Sequence, residues 1–175
     1  PRVRAATRED IPGMVSVART SVTDAELEGF VGPSEESPFR DEASLSAAWV
    51  DPNLVGSELV FVAEAGTTVV GIVTVERRGP ELELVDIDVA GNMQGRGIGG
   101  RLVAFVEDLA RSEGGSAVTL GTSRSADGVP WKSFGWWQSL GYRVTHEEEN
   151  EWTRSIGPGA REIRMRKDLR QQPSR

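Results

Sequence analysis

Apolar and polar positions alternate most clearly in the middle of the chain. Glu58-Leu59-Val60-Phe61-Val62-Ala63-Glu64 and Val69-Val70-Gly71-Ile72-Val73-Thr74-Val75-Glu76 are β-branched, apolar runs joined by Ala65-Gly66-Thr67-Thr68. That pattern predicts an antiparallel hairpin. Arg77-Arg78-Gly79-Pro80 turns the chain into a third strand, Glu81 to Val89. Leu102, Val103, Phe105, Val106 and Leu109 then recur at helical spacing to about Ser112, and Gly114-Gly115 stops the helix. A strand over 117–120 follows, parallel to its predecessor because a helix intervenes.

The flanks are read the same way. Residues 3–6 form a short first strand, and Asp10 caps a helix with Pro12 in its first turn and Ile11, Met14, Val15 and Ala18 on one face. Ala25-Glu26-Leu27 holds a further helical turn, and Asp41 or Ser44 starts a short helix through Leu45, Ala48 and Trp49 that ends near Asp51-Pro52. After a polar loop over 121–129, Pro130 opens a helix with the stripe Trp131, Phe134, Trp137, Leu140, closed by Gly141. Residues 142–145 start a strand, 146–151 are a charged interruption, and the alternation of 162–167 gives a last strand and possible sheet edge. The order is β-α-α-β-β-β-α-β-α-β-β, one domain over 1–175 with a tail from about 170 and no internal repeat.

Composition narrows the function classes. The 175 residues suffice for one core, and 38% are hydrophobic. A net charge of −7 opposes general nucleic-acid binding and suits a cationic substrate. The chain has no cysteine and a single histidine, His146, which excludes thiolate chemistry, disulfides and a histidine-built metal centre. No apolar run approaches a membrane span and no signal peptide opens the chain, so a cytoplasmic protein without a membrane partner is expected.

The stretch Val89-Ala90-Gly91-Asn92-Met93-Gln94-Gly95-Arg96-Gly97-Ile98-Gly99-Gly100-Arg101-Leu102 sits where the third strand gives way to the helix. A helix start carries backbone N–H groups without intrahelical partners, and its dipole favours an anion. Glycines there let a phosphate or pyrophosphate come close. The dinucleotide fingerprint fails on spacing and on the absence of a following acid, and the P-loop fails for want of Gly-Lys-Ser/Thr.

Gln94-x-x-Gly97-x-Gly99 after a strand ending in Val89 resembles the acyl-CoA loop of the Gcn5-related N-acetyltransferase (GNAT) superfamily. Arg4-x-Ala6-Thr7-x-x-Asp10-Ile11-Pro12 is similar to that family's opening strand and helix start. Trp136-Trp137-Gln138-Ser139-Leu140-Gly141-Tyr142 resembles its late Phe-Tyr-x-x-x-Gly-Phe segment. The likeness runs from about Val3 to Leu169. It implies an α/β (α+β) fold, a central mixed, mostly antiparallel sheet flanked by helices, with acyl-CoA in a cleft between central strands. It implies acetyl-CoA as cosubstrate, held by Ile87, Val89, Gln94, Gly95, Arg96, Gly97, Gly99, Gly100 and Arg101, and no metal. Dimers are common in the family, so a homodimer is a further expectation.

Thioester aminolysis needs a held acyl group, a donor near the carbonyl oxygen and an amine freed of its proton. An alkyl amine has a pKa near about 10 and arrives charged at neutral pH, so a carboxylate helps both to hold and to deprotonate it. The strand before the loop carries Glu81, Glu83, Asp86 and Asp88. In a regular strand Asp86 and Asp88 face away from Ile87 and Val89, and a bulge alters that parity. Asp86 and Asp88 are the substrate-side candidates. Glu81 and Glu83 are the base candidates, Glu81 matching the general-base glutamate of histone-type members. Trp137 stands where the family often has a tyrosine acid, so water, another side chain such as the hydroxyl of Ser133 or Ser139, or direct departure of the fairly acidic thiol would have to serve. Trp131 and Trp136 are expected beside the acceptor or pantetheine channel, with Trp49 and Trp152 at opposite ends of the acceptor site. The predicted activity is acetyl transfer from acetyl-CoA to a primary amine of a small cationic metabolite or antibiotic by direct attack in a ternary complex. The alternatives are a protein N-terminal or lysine acetyltransferase, and a CoA-binding or sensing domain with little catalysis.

Overall fold

The computed structural model describes residues 1–21 and 33–169. The turn expected around Ala25-Glu26-Leu27 and the C-terminal tail lie outside these residues. In chain order the elements are β1 (Arg2–Ala5), α1 (Ile11–Thr20), α2 (Glu42–Ala48), β2 (Trp49–Val50), β3 (Leu54–Val55), β4 (Glu58–Ala65), β5 (Thr68–Arg78), β6 (Glu81–Val89), α3 (Ile98–Ser112), β7 (Ala117–Ser123), α4 (Lys132–Ser139), β8 (Arg143–Glu148), α5 (Glu151–Ile156) and β9 (Glu162–Asp168). All nine strands described share one sheet, in the order β2-β3-β4-β5-β6-β7-β9-β8, with β1 beside β3 on the same edge of β4. The pairing is antiparallel throughout except between β6 and β7, which run parallel. This is the mixed, mostly antiparallel sheet that the family resemblance implies, with the β4–β5–β6 meander that the alternation predicts.

Each face of the sheet buries its own core. On one face Leu102, Val103, Val106 and Ala110 of α3 pack with Val73, Val75, Leu82, Leu84, Val118, Leu120 and Trp137. On the other, Ile11, Met14, Val15 and Val17 of α1 and Leu45 of α2 cover Val60, Val62 and Ile72. Met14 and Leu45 are fully buried, and truncating either to alanine costs about 2–5 kcal/mol. Gly71 fixes how close α3 lies, because a Cβ there would stand 3.0 Å from Leu102 Cδ1 and 3.1 Å from Ile98 Cγ2.

The opening motif has a physical role. The carboxylate of Asp10 accepts from the Thr7 backbone N–H at 2.8 Å and from Arg4 at 2.7 and 2.9 Å, and Arg4 also reaches Glu64 at 3.0 Å. Asp10 stands at the N-cap position of α1, as expected, but its side chain does not bond the first N–H groups of that helix. It reaches back to Thr7, which caps the short 3-10 turn leading into α1. Asp41 caps α2, its Oδ1 accepting from the Ser44 N–H at 2.7 Å.

Other boundaries also differ. The strand predicted over 117–120 continues to Ser123 because β9 pairs with it along its whole length. Pro130 bridges to Arg124, and α4 begins two residues later. The charged stretch after Thr145 stays in β8 as far as Glu148, since an edge strand bonded only to β9 can solvate its charges. β9 is consequently interior, and β8 is the edge. Trp49 is buried in the α1 core, its Nε1 donating to Asp51 at 3.1 Å, and does not border the cleft.

Candidate functional site

β6 and β7 stay together only briefly. Their parallel register covers residues 81–83 against 117–119 and then ends. The cause lies in β6. Asp86 pairs with Thr74 and Leu84 with Val75, so Val85 is an extra residue, a β-bulge that bends the strand. Beyond it β6 and β7 open a cleft of about 1450 Å³. The cleft runs from the glycine stretch, past Leu84 to Val89 and Leu120 to Thr122, to Trp131, Trp152, His146, Glu148, Glu162 and Arg164.

The bulge also sets which side chains meet. Leu82 and Leu84 precede it and Ile87 and Val89 follow it, and all four pack on the α3 face. The four carboxylates of Glu81, Glu83, Asp86 and Asp88 therefore share the opposite face. In an unbroken strand Glu81 and Glu83 would have joined Ile87 and Val89 on the α3 side.

At the mouth, the Ala90 N–H crosses to the Val70 carbonyl of β5 at 2.9 Å. Backbone groups alternate along a strand, so those of Val89 and Ile87 point to the side that β7 has left. Gln94 Nε2 donates to the Val89 carbonyl at 3.3 Å and anchors the loop there. Gly95 and Gly97 adopt left-handed φ values of +76° and +79°, with Gly97 as the cap of α3. A Cβ at Gly95, Gly97 or Gly100 would meet nothing within 4 Å. The loop is therefore open on its outer side, with the first N–H groups of α3 at its centre. A pyrophosphate fits such a cradle, and the exposed backbone of Ile87 and Val89 suits the amide groups of a pantetheine arm. Gly99 serves packing as well, because a Cβ there would lie 3.3 Å from Trp136 Cζ2. Arg96 and Arg101 are exposed and are not among the residues lining the cleft. Arg101 donates to the Pro1 carbonyl at 3.0 Å.

The carboxylates divide into two sets. Glu81 is ion-paired with Arg166. Glu83 is buried, accepts from Thr119 at 2.7 Å and from Arg164 at 2.5 and 2.9 Å, and ties β6 to β7 and β9. Asp86 and Asp88 line the cleft further along β6, beyond Glu83, which also borders it. Crowding by protein is the main cause that raises both carboxyls, opposed at Asp88 by a hydrogen bond from Ser21. At Asp86 the charges of Asp88 and Glu58 add to it and bring the carboxyl to about 7. Water still reaches Asp86 from the open side, so it sits in a concave pocket and not in a sealed core.

The far wall contains features that the alternation did not reveal. Trp131 and Trp152 meet edge to face with centroids 5.7 Å apart, and both line the cleft. Trp152 lies on α5, whose start is fixed by a reciprocal cap in which the Thr153 N–H donates to Asn150 Oδ1 at 3.0 Å and the Asn150 N–H to Thr153 Oγ1 at 2.9 Å. Asn-x-x-Thr after the glutamates was the available signal. Trp137 is buried against Tyr142, whose hydroxyl donates to Glu107 at 2.9 Å. Burial first, then the Glu107 charge, raises the Tyr142 hydroxyl and keeps it neutral. Ser133 Oγ and Thr122 Oγ1 are 2.7 Å apart inside the cleft, whereas Ser139 is turned back on the Trp136 carbonyl of its own helix.

A sheet parted at one parallel pair, with a glycine-capped helix at the mouth, is the arrangement that the resemblance to acyl-CoA N-acyltransferases implies. The chain belongs to the Acetyltransferase (GNAT) family, whose model matches residues 19–129. Enzymes of this family are N-acetyltransferases with acetyl-CoA as cosubstrate. The fold agrees with solved structures. An aminoglycoside 6'-N-acetyltransferase complexed with coenzyme A matches with a TM-score of 0.71 and 17% identity, over 99% of this chain and 100% of that one. The PaiA N-acetyltransferase from Thermoplasma acidophilum, also with coenzyme A, gives 0.69 and 19% over 96% and 98%. The ribosomal-protein-S18-alanine N-acetyltransferase from Escherichia coli gives 0.68 and 15% over 98% and 95%. Comparison with curated protein sequences finds no match. Among the described residues no helix is long and apolar enough to cross a membrane.

Proposed function

We propose that the chain acetylates a primary amine of a small cationic acceptor, with the loop from Gln94 to Gly100 holding the coenzyme A pyrophosphate. Bound acetyl-CoA supplies the activated acyl group. The observation that carries the acceptor assignment is the Asp86–Asp88 pair on the cleft face of β6. Two carboxylates there attract an ammonium, and the tryptophans 131 and 152 offer aromatic faces to a cation. The aminoglycoside specificity of one structural relative is compatible with such an acceptor.

We assign Asp86 as the proton acceptor and Asp88 as the residue that holds the ammonium. A carboxyl near 7 gives a stronger base than an ordinary carboxylate while remaining largely ionised just above neutrality. Glu81 and Glu83 are committed to ion pairs with Arg166 and Arg164 of β9. We assign the hydroxyl pair of Ser133 and Thr122, 2.7 Å apart in the cleft, to donate to the departing thiolate in place of a tyrosine. Arg96 is assigned to the phosphates by its place in the loop, and Arg101 less directly because Pro1 engages it.

The experiment is a thiol-release assay with acetyl-CoA against a panel of mono-amines, diamines, amino sugars and N-terminal alanine peptides. Release of coenzyme A with small cationic amines, needing more amine for the same rate in Asp88→Asn, supports the assignment. Release with the peptides alone would give the chain a protein acceptor. Saturable acetyl-CoA binding without turnover of any amine would make it a sensing domain.

A further inference from the structure

Thr74 of β5 is a polar residue at a position that packing would give to valine. It is 2% exposed, its neighbour on β4 is the fully buried Val60, and its Oγ1 is buried with no hydrogen-bond partner among the described residues. A buried hydroxyl left unsatisfied costs about 1–3 kcal/mol, and valine has the same shape without that cost. The residue directly across on β6 is Asp86. Opposed residues of an antiparallel pair share a face, with Cβ atoms about 4.5–5.5 Å apart, a gap that a rotamer change of two short polar side chains can close. The bulge at Val85 begins immediately beside this pair and sets Asp86 in the cleft.

The two residues have complementary deficits. Thr74 has a donor with no acceptor. The charged groups that face Asp86 among the described residues are Asp88 on its own strand and Glu58 from β4, and both oppose its ionised form. The Ser21 hydroxyl at the end of α1 is directed to Asp88. We infer that Thr74 is a positioning residue, its Oγ–H donating to the Asp86 carboxylate when that group loses its proton and holding it towards the acceptor amine. The inference rests on Asp86 as the proton acceptor. When the amine attacks the thioester carbonyl a carbon–nitrogen bond forms, the amine's proton passes to an Asp86 oxygen, the carbon–sulfur bond breaks with coenzyme A leaving as its thiolate, and the Thr74 hydroxyl is released until Asp86 gives its proton to water in the open cleft.

The test compares wild type, Thr74→Val and Thr74→Ser by carbon-detected NMR titration of the aspartate carboxyl groups, with Asp86→Asn for assignment. Because Asp86 and Asp88 interact, the readout is the upper of the pair's two midpoints. Loss of the donor in Thr74→Val should raise that midpoint by about one pH unit, tenfold in the acid constant, while Thr74→Ser restores it. The acid limb of kcat/KM should move by the same amount. Identical midpoints in all three proteins would overturn the inference, as would equal shifts in the valine and serine variants. The carboxyl groups titrate whether or not an acceptor is turned over, so failure here leaves acetyl transfer standing. Failure of acetyl transfer leaves the titration readable.

Discussion

Gly97 and Asp86 show what a single residue settles in this molecule. Gly97 combines a left-handed backbone with open space where a Cβ would be, at the start of α3. Gly97→Trp is expected to fill the cradle and to weaken acetyl-CoA binding at least about a hundredfold, roughly 3 kcal/mol, in a folded protein. Calorimetric titration checks it, and wild-type affinity would remove the loop from the site. Asp86→Asn keeps the shape but cannot accept a proton. It should lower kcat about 10²–10⁴-fold and abolish the rise in kcat through about pH 7. Asp88→Asn should chiefly raise the acceptor KM. Swapped effects in steady-state kinetics would exchange the two roles. Both carboxylates were legible in the sequence, since two acids on a strand leading into a glycine loop are easily noticed. The arginine pairing that ties up Glu81 and Glu83 was not, because it depends on Arg164 and Arg166 of β9, about eighty residues further along the chain.

At the scale of elements, the legible parts are those whose signal is local. The β4–β5–β6 meander and α3 follow from alternation, turns and helical spacing, and their structure agrees closely. The bulge in β6 is different. Nothing in Leu84-Val85-Asp86 marks Val85 as supernumerary, because the insertion is defined only against Thr74 and Val75 of the neighbouring strand. β8 and α5 were obscured by composition, since four glutamates in a row of charged residues look like a loop until β9 pairs with the first part and Asn150 caps the second. The start of α1 supports a prediction at this scale. Arg4, Thr7, Asp10 and Glu64 join β1, the helix start and β4. Asp10→Asn should cost about 1–3 kcal/mol, because the charged bonds from Arg4 weaken and Arg4 keeps Glu64 as its one ion-pair partner among the described residues. Chemical denaturation at pH 7 measures it, and an unchanged midpoint would mean that this motif does not contribute to stability.

For the whole molecule, Asp10 and Asp86 give the stability–pH curve opposite slopes in adjacent windows. The hydrogen bonds from Arg4, helped by the Thr7 N–H, hold the Asp10 carboxyl below the usual carboxylate range. Its contribution is complete above about pH 4 and is lost as the pH falls through its folded value. Asp86 is raised to about 7 by crowding and by two neighbouring negative charges. The folded state therefore binds its proton more tightly than the unfolded chain does, and stability falls as the pH rises from about 4 to about 7. Water access from the cleft screens much of this, leaving about 1–2 kcal/mol. Asp86→Asn should consequently melt a few degrees higher than wild type at pH 8, with the difference vanishing near pH 4, while losing its activity. Thermal melts at both values check it. A variant that melts lower at pH 8 would show that the Asp86 charge is stabilised in the folded protein, and would remove the basis for treating it as the tuned base. The expected result makes the carboxylate that destabilises the fold at working pH the same one that receives the proton, a cost that persists because a well-solvated carboxylate would be too weak a base for the amine.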